Sequence, residues 1–490
     1  MYRRRRATTS VPGHSVSGTL VAAVSLSFLA LAFGASARAA PGNVLLARGR
    51  TEPVVATDPA HPSIIVAGSN TNYDAPVGDT FPTAYFTSHD GGKSFASGNV
   101  PLLRPYTTGA DPTVAIARSG TVFYSYLAES PSFCSQGGAA ILLTRSFDGG
   151  RSFSSPRVID SNPDDDKPDM AVEDVPARRA HVFVAWTRGH AHGSDIWYAR
   201  SSNGGASFSR PTMLYSSRLD NLGAVPVVGP HGRVYVFWPE SPETRPSVPA
   251  RTQFDVRVST DDGVRFQPMR RAIGPFYSVP AVAQPGSLRI LTQPALAVMS
   301  KGVLYLAWAA AIHQLRDASV DADILLSRSG DGGRSWSRPV RMNDSRRMDR
   351  FMPSISLLPD ESIGIVFYDR RISGSQLDAY AARARFDGRI RVSRNLRVTQ
   401  TTSSISDIFY IKPGSTCLSP GRFFGDYIGS SACGRDTLCV TWADTQLHVY
   451  QETDVWFAKV ALPPVPLQVQ VRGALHRRHT RGVLHNRSWR

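Results

Sequence analysis

Cysteine is scarce in this chain: there are four among 490 residues, and none falls in a CxxC pair or beside histidines at zinc-site spacing. That argues against a transition-metal site. Long apolar runs are also missing after the N-terminus. The only one, Leu20–Phe33, is short for a spanning helix, and no later segment has transmembrane length. Acidic residues are absent from the first 39 positions and from everything after Pro463, so these ends hold eleven of the arginines behind the formal charge of +16. Without them the body carries about +5, an ordinary surface charge that gives no reason to expect a nucleic-acid partner for it.

The two ends have their own signatures. Arg3–Arg6, the apolar Leu20–Phe33 and Ala37-Arg38-Ala39 read as the three regions of a secretory signal peptide over residues 1–39, with an uncleaved N-terminal anchor as the alternative. The mature chain then starts near Ala40 and is expected to be secreted or held in the cell envelope. The Pro-rich, then Arg- and His-rich stretch 463–490 reads as a disordered basic tail suited to touching anionic envelope polymers. An even number of cysteines in a secreted chain predicts pairing. Cys433 and Cys439 flank the turn Gly434-Arg435-Asp436, which leaves Cys134 and Cys417 to pair with each other.

Between the ends the chain repeats itself. Five segments, SHDGGKSF from Ser88, SFDGGRSF from Ser146, SSNGGASF from Ser201, STDDGVRF from Ser259 and SGDGGRSW from Ser329, start 58, 55, 58 and 70 residues apart. Each reads as a hairpin turn: Ser and Asp oxygens accept from nearby N–H groups, Gly supplies positive φ, and the final aromatic is an apolar anchor. Asn203 keeps the acceptor oxygen without the charge, which marks the aspartates as turn formers. Upstream of each turn lies a strand marked by proline in six cases (Pro53, Pro112, Pro168, Pro226, Pro294, Pro353) and a strand ending in an aromatic (Tyr126, Trp186, Trp238, Trp308, Tyr368, Trp442). A seventh unit begins near Gly425-Asp426-Tyr427 and lacks a turn after Val460, so Val44–Ala47 is expected to supply its outermost strand.

These segments resemble the Asp-box, or BNR, repeats of the sialidase superfamily, over about Thr51 to Val460. The resemblance implies an all-β propeller over residues 40–462 with four-stranded blades, seven being favoured over six. It also implies a substrate pocket on the face opposite the boxes and an acidic, sialic-acid-like glycan as partner. In a repeat protein the residues that break the repeat are the candidates for function. Arg188 and Arg370, with Arg371 beside it, and Arg350 and Arg422 are the guanidinium groups available to hold a carboxylate bidentately. Glu52, Asp111, Asp166, Lys167, Arg350, Asp426 and Tyr427 are expected near the channel mouth.

By resemblance to the family's chemistry, Tyr427 is the candidate nucleophile, Glu240 its assisting carboxylate and Asp111 the acid/base. The family's Phe/Tyr-Arg-Ile-Pro pattern corresponds here to Arg50-Thr51-Glu52-Pro53, where the arginine is displaced by one position and Glu52 fills the intervening place. Hydrolysis of an acidic glycan and non-catalytic glycan or protein binding are the two leading functions, with an envelope scaffold third. No cofactor is expected. Asp164-Asp165-Asp166 offers oxygens that suit calcium, but a solvated loop is the plainer reading.

Overall fold

A computed structural model describes residues 42–71, 80–130, 138–175, 179–242, 248–284, 286–298, 301–314, 320–411, 421–447, 449 and 452–466. The expected leader, the Arg-rich part of the tail, Cys134 and Cys417 lie outside the described residues. Among the described residues no helix is long and apolar enough to cross a membrane.

The described chain is all-β apart from one short 3-10 turn at Ile405–Asp407. Seven antiparallel sheets follow one another along the sequence, their first strands being Arg50–Thr57, Thr108–Ile116, Asp165–Glu173, Val225–Gly229, Ala295–Val298, Arg350–Leu357 and Gly429–Ala432. They are called the first to seventh sheets below. Each first strand packs against that of the next sheet, and Arg50–Thr57 also packs against Gly429–Ala432. The seventh sheet takes its outermost strand from the N-terminus: Val44–Arg48 pairs with Asp454–Ala461, Val44 opposite Phe457 and Arg48 opposite Asp454. An eighth, small sheet joins Val282–Ala283 and Leu288–Arg289 to Tyr410–Ile411 and Gly421–Arg422.

Second strands are covered on both faces, which is why they read as nearly unbroken apolar runs. Their terminal aromatics Trp186, Trp238, Trp308, Trp442, Tyr126 and Tyr368 are among the largest fully buried side chains. Between strands three and four the repeated turns form as their chemistry requires. In the first, Ser88 Oγ donates to Asp90 Oδ1 (2.8 Å) and accepts from Gly92 N (2.8 Å), while Asp90 Oδ1 accepts from Lys93 N and Ser94 N. Gly91 and Gly92 have φ of 76° and 86°, a region where a side chain is strained. Asn203 makes the same contacts through Oδ1, with Nδ2 donating to Ser207 Oγ instead of accepting from it.

The aromatic leaving each turn joins neighbouring sheets. Phe153 meets Tyr85, Phe266 meets Tyr198 and Trp336 meets Phe237, at centroid distances of 4.8, 4.9 and 6.1 Å. Phe95 of the first sheet meets Phe457 of the seventh at 4.9 Å. Cys433 and Cys439 are bridged across the hairpin between the seventh sheet's first two strands.

Candidate functional site: a buried lysine held by three carboxylates

The site originates in a backbone irregularity repeated in four sheets. At the start of the first strand in the first, second, third and sixth sheets, the residue before proline is left-handed: Glu52 (φ 54°), Asp111 (48°), Lys167 (51°) and Met352 (50°). The strand register shifts across each of these X-Pro pairs. They are bulges, the place within a strand where a residue without an N–H is tolerated. Positive φ at a residue bearing a side chain costs about 1–3 kcal/mol, and a bulge re-aims the side chain.

Three of the four side chains converge. Lys167 Nζ lies 2.6 Å from Asp111 Oδ1, 3.0 Å from Glu52 Oε1 and 2.8 Å from Asp426 Oδ2, with all four residues buried. Arg289 Nη2, from the small eighth sheet, adds a second cation 2.8 Å from the same Asp426 oxygen. Asn70 Nδ2 donates to the other oxygen of Glu52. Gly425 lets Asp426 approach: its φ is 111°, and a Cβ there would stand 2.7 Å from the Glu52 nitrogen.

The electrostatics run in a gradient across this cluster. Burial alone would lower the Lys167 ammonium, but Asp111, Asp426 and Glu52 raise it well above its ordinary value, so it stays charged. Burial pushes Asp426 up, and Arg289 and Lys167 more than reverse that. On the far side burial wins. Glu52 rises despite Lys167, Asp166 rises to about 7 through burial and the charge of Asp111, and Glu129 rises to about 8 through burial and the charges of Asp111 and Asp166. The cluster therefore offers hydrogen-bond acceptors and carboxyls that hold a proton near neutral pH.

Asp111, Lys167 and Asp426 open onto a cavity of about 230 Å³ lined also by Asp169, Met352 and Tyr427 and by Pro112, Pro168, Pro294 and Pro353. The Tyr427 ring faces Lys167 Nζ at 5.6 Å, and its hydroxyl points to Pro112 O at 3.4 Å. Burial, then the charges of Glu52 and Asp111, push this phenol well above its ordinary value.

The other sequence candidates lie in separate groups. Glu240 accepts from Tyr215 Oη (2.7 Å), Ser217 Oγ (3.1 Å) and Gln253 Nε2 (2.7 Å), and does not line the cavity with Tyr427. Arg188 pairs with Asp165 (2.7 Å) and Asp160 and lies over Trp197. Arg350, Arg370 and Arg371 do come together, but on the protein's own carboxylates: Arg350 with Asp369, Arg370 with Asp349, and Arg371 with Asp369 and Asp344. Arg422 donates to the carbonyls of Ser406 and Ile408. The Asp164-Asp165-Asp166 run splits, Asp165 taking Trp186 and Arg188 while Asp166 joins the lysine cluster.

Asp111, Lys167, Asp426 and Tyr427 thus share one cavity, and Glu52 and Asp166 stand against them, whereas Arg350, expected beside them, does not line it. Arg289 and Asn70 were missed because neither sits in a recurring motif. The available signal was charge in the X-Pro pairs, since Glu52, Asp111 and Lys167 occupy the same place in successive units.

No protein-family model matches this chain, and no curated protein matches it. Among solved structures it is similar to a protein of unknown function from Dyadobacter fermentans, at 15% identity over 85% of this chain and 99% of that one (TM-score 0.41). It is also similar to the Hadza microbial sialidase Hz136, at 13% identity over 82% and 76% (TM-score 0.39). A third, Trypanosoma rangeli sialidase, gives 11% identity over 86% and 58% (TM-score 0.39), so this chain spans little more than half of that protein's length.

Proposed function

We propose that this chain is a secreted seven-bladed β-propeller whose axial cavity binds a glycan without hydrolysing it. The seven sheets are the blades, the Val44–Arg48 strand closes the last of them, and the Asp-box resemblance supplies the carbohydrate context. The observation that carries the reading is the state of the site's cations. Lys167 is surrounded by Glu52, Asp111 and Asp426, and the five candidate arginines are held by internal carboxylates and carbonyls.

An acidic sugar would therefore meet a wall of carboxylates. Sugar hydroxyls, or an amino group, would find acceptors there. Nucleophilic chemistry at Tyr427 is disfavoured on two counts: the phenol is pushed up rather than down, and Glu240 belongs to another hydrogen-bond group. A cavity of 230 Å³ has room for one ring-sized group.

The test is a glycan array with the secreted protein, paired with a fluorogenic sialoside assay. Binding to neutral or amino-bearing glycans, weakened at least tenfold in Asp111→Asn and unaccompanied by release, is the expected outcome. Sialoside turnover that disappears in Tyr427→Phe would replace this reading with hydrolysis, and silence in both assays would leave only a scaffold.

A further inference from the structure

Away from the lysine cluster, where the third and fourth sheets meet on the side of the repeated turns, a second group of ligand-type side chains comes together. Glu173 ends the third sheet's first strand, His181 begins its second strand directly opposite, and Asp262 reaches across from the repeated turn of the fourth sheet. One ligand atom from each lies within 4.8 Å of the other two. We infer that these three residues form a divalent-cation site of the zinc class that clips the third sheet to the fourth.

Two observations converge on it. His181 is nine-tenths buried, and its Nδ1 is shielded from solvent with no hydrogen-bond partner, the nearest carboxylate oxygen, Glu173 Oε2, being 3.5 Å away. A buried ring nitrogen without a partner is costly unless something coordinates it. Second, Asp262 breaks the repeat. Its place in the other four turns is held by Gly91, Gly149, Gly204 and Gly332, with φ of 69–76°, and Asp262 adopts φ 56° in the same left-handed region despite its side chain. The turn needs glycine there, so the carboxylate is present for something other than the turn.

An imidazole nitrogen with two carboxylate oxygens selects zinc-like ions over calcium, which prefers an all-oxygen shell. Three protein ligands leave a position for water, and the Glu173 side chain, one-fifth exposed, gives access to solvent. Sequence spacing hid the site because its ligands come from the two ends of one hairpin and from a turn some eighty residues later.

The experiment uses the full secreted chain, stripped with chelator, then titrated with Zn²⁺ and separately with Ca²⁺, with thermal midpoint and calorimetric affinity as readouts. Asp262→Gly is the decisive variant, since it restores the residue that four sister turns already fold with. Zn²⁺ should raise the wild-type midpoint with one saturable site, and Asp262→Gly should lose that shift and bind at least tenfold more weakly at that site, as should His181→Gln. The tail histidines His476, His479 and His485 are common to wild type and variants, so their binding cancels in the difference. Asp262→Gly keeping the wild-type shift and affinity would overturn the inference, and stabilisation by Ca²⁺ equal to that by Zn²⁺ would overturn the zinc class.

Discussion

Aspartate does two different jobs in two regions of this molecule. In the repeated turns Asp331 sits in water, and the Ser335 hydroxyl and backbone N–H, with Ser329, hold its carboxyl well below the ordinary range. In the lysine cluster Asp166 is half-buried beside Asp111, and burial with that neighbouring charge raises its carboxyl to about 7. The turn aspartates stand in four of the five turns and are satisfied locally, by side chains and N–H groups a few residues away. Glu52 and Asp111 come from different sheets and Asp426 from the loop ahead of the seventh, and all three depend on one shared lysine. Local satisfaction makes a residue replaceable by an isostere, as Asn203 shows, whereas shared dependence makes the cluster fail together.

The sharpest way to break that contrast is to remove the shared cation. Lys167→Met leaves Glu52, Asp111 and Asp426 buried without their common partner, and should lower stability at pH 7 by about 3–5 kcal/mol in denaturant titrations. Part of the loss should return at pH 5, where the orphaned carboxyls can protonate. A loss under about 1 kcal/mol would mean the cluster is not a unit.

The next effect is a slope. Glu129 rises from the ordinary carboxyl range to about 8 in the folded chain, so between those values the unfolded state has released a proton that the folded state keeps. Stability should therefore fall as pH rises from about 5 to 8. Glu129→Gln, which cannot ionise, should be more stable than wild type by about 1–2 kcal/mol at pH 8 and nearly equal to it at pH 5. Parallel pH profiles for the two proteins would remove Glu129 from the cluster.

The smallest effect belongs to the turns and has the opposite sign. Burial pushes Asp148 up, but the Ser152 and Ser146 hydroxyls and the N–H donors together outweigh it and hold it at about 2. Its contribution is present above the ordinary aspartate value and is lost as pH falls through 2. Asp148→Asn should cost under about 1 kcal/mol at pH 7, because the amide oxygen still accepts the same N–H groups, and should flatten the acid end of the stability curve. A loss of several kcal/mol would show that the charge, and not the acceptor geometry, holds the turn.

By itself the sequence determined whatever is satisfied within a short stretch of chain. The five turns, the prolines at strand starts and the Cys433–Cys439 bridge each depend on near neighbours in the chain, and the aromatics ending the second strands were legible from strand alternation, although their partners, such as Ala443 for Tyr368, lie far away. The Val44–Arg48 strand was legible for a related reason, since the last unit lacked one strand and the chain start had one to spare. The tertiary structure alone decided which charges meet. Lys167 and Asp426 are 259 positions apart, and Arg289 reaches the cluster from a two-residue strand with no motif of its own. Arg188, Arg350, Arg370 and Arg371 resemble a substrate clamp in sequence but pair with internal aspartates. An ion pair is selected by distance in the folded chain, and that distance is set by how the sheets pack and by left-handed bulges whose side chains turn inward. The packing leaves no period along the sequence, and the X-Pro bulges that do recur leave open which of their side chains meet.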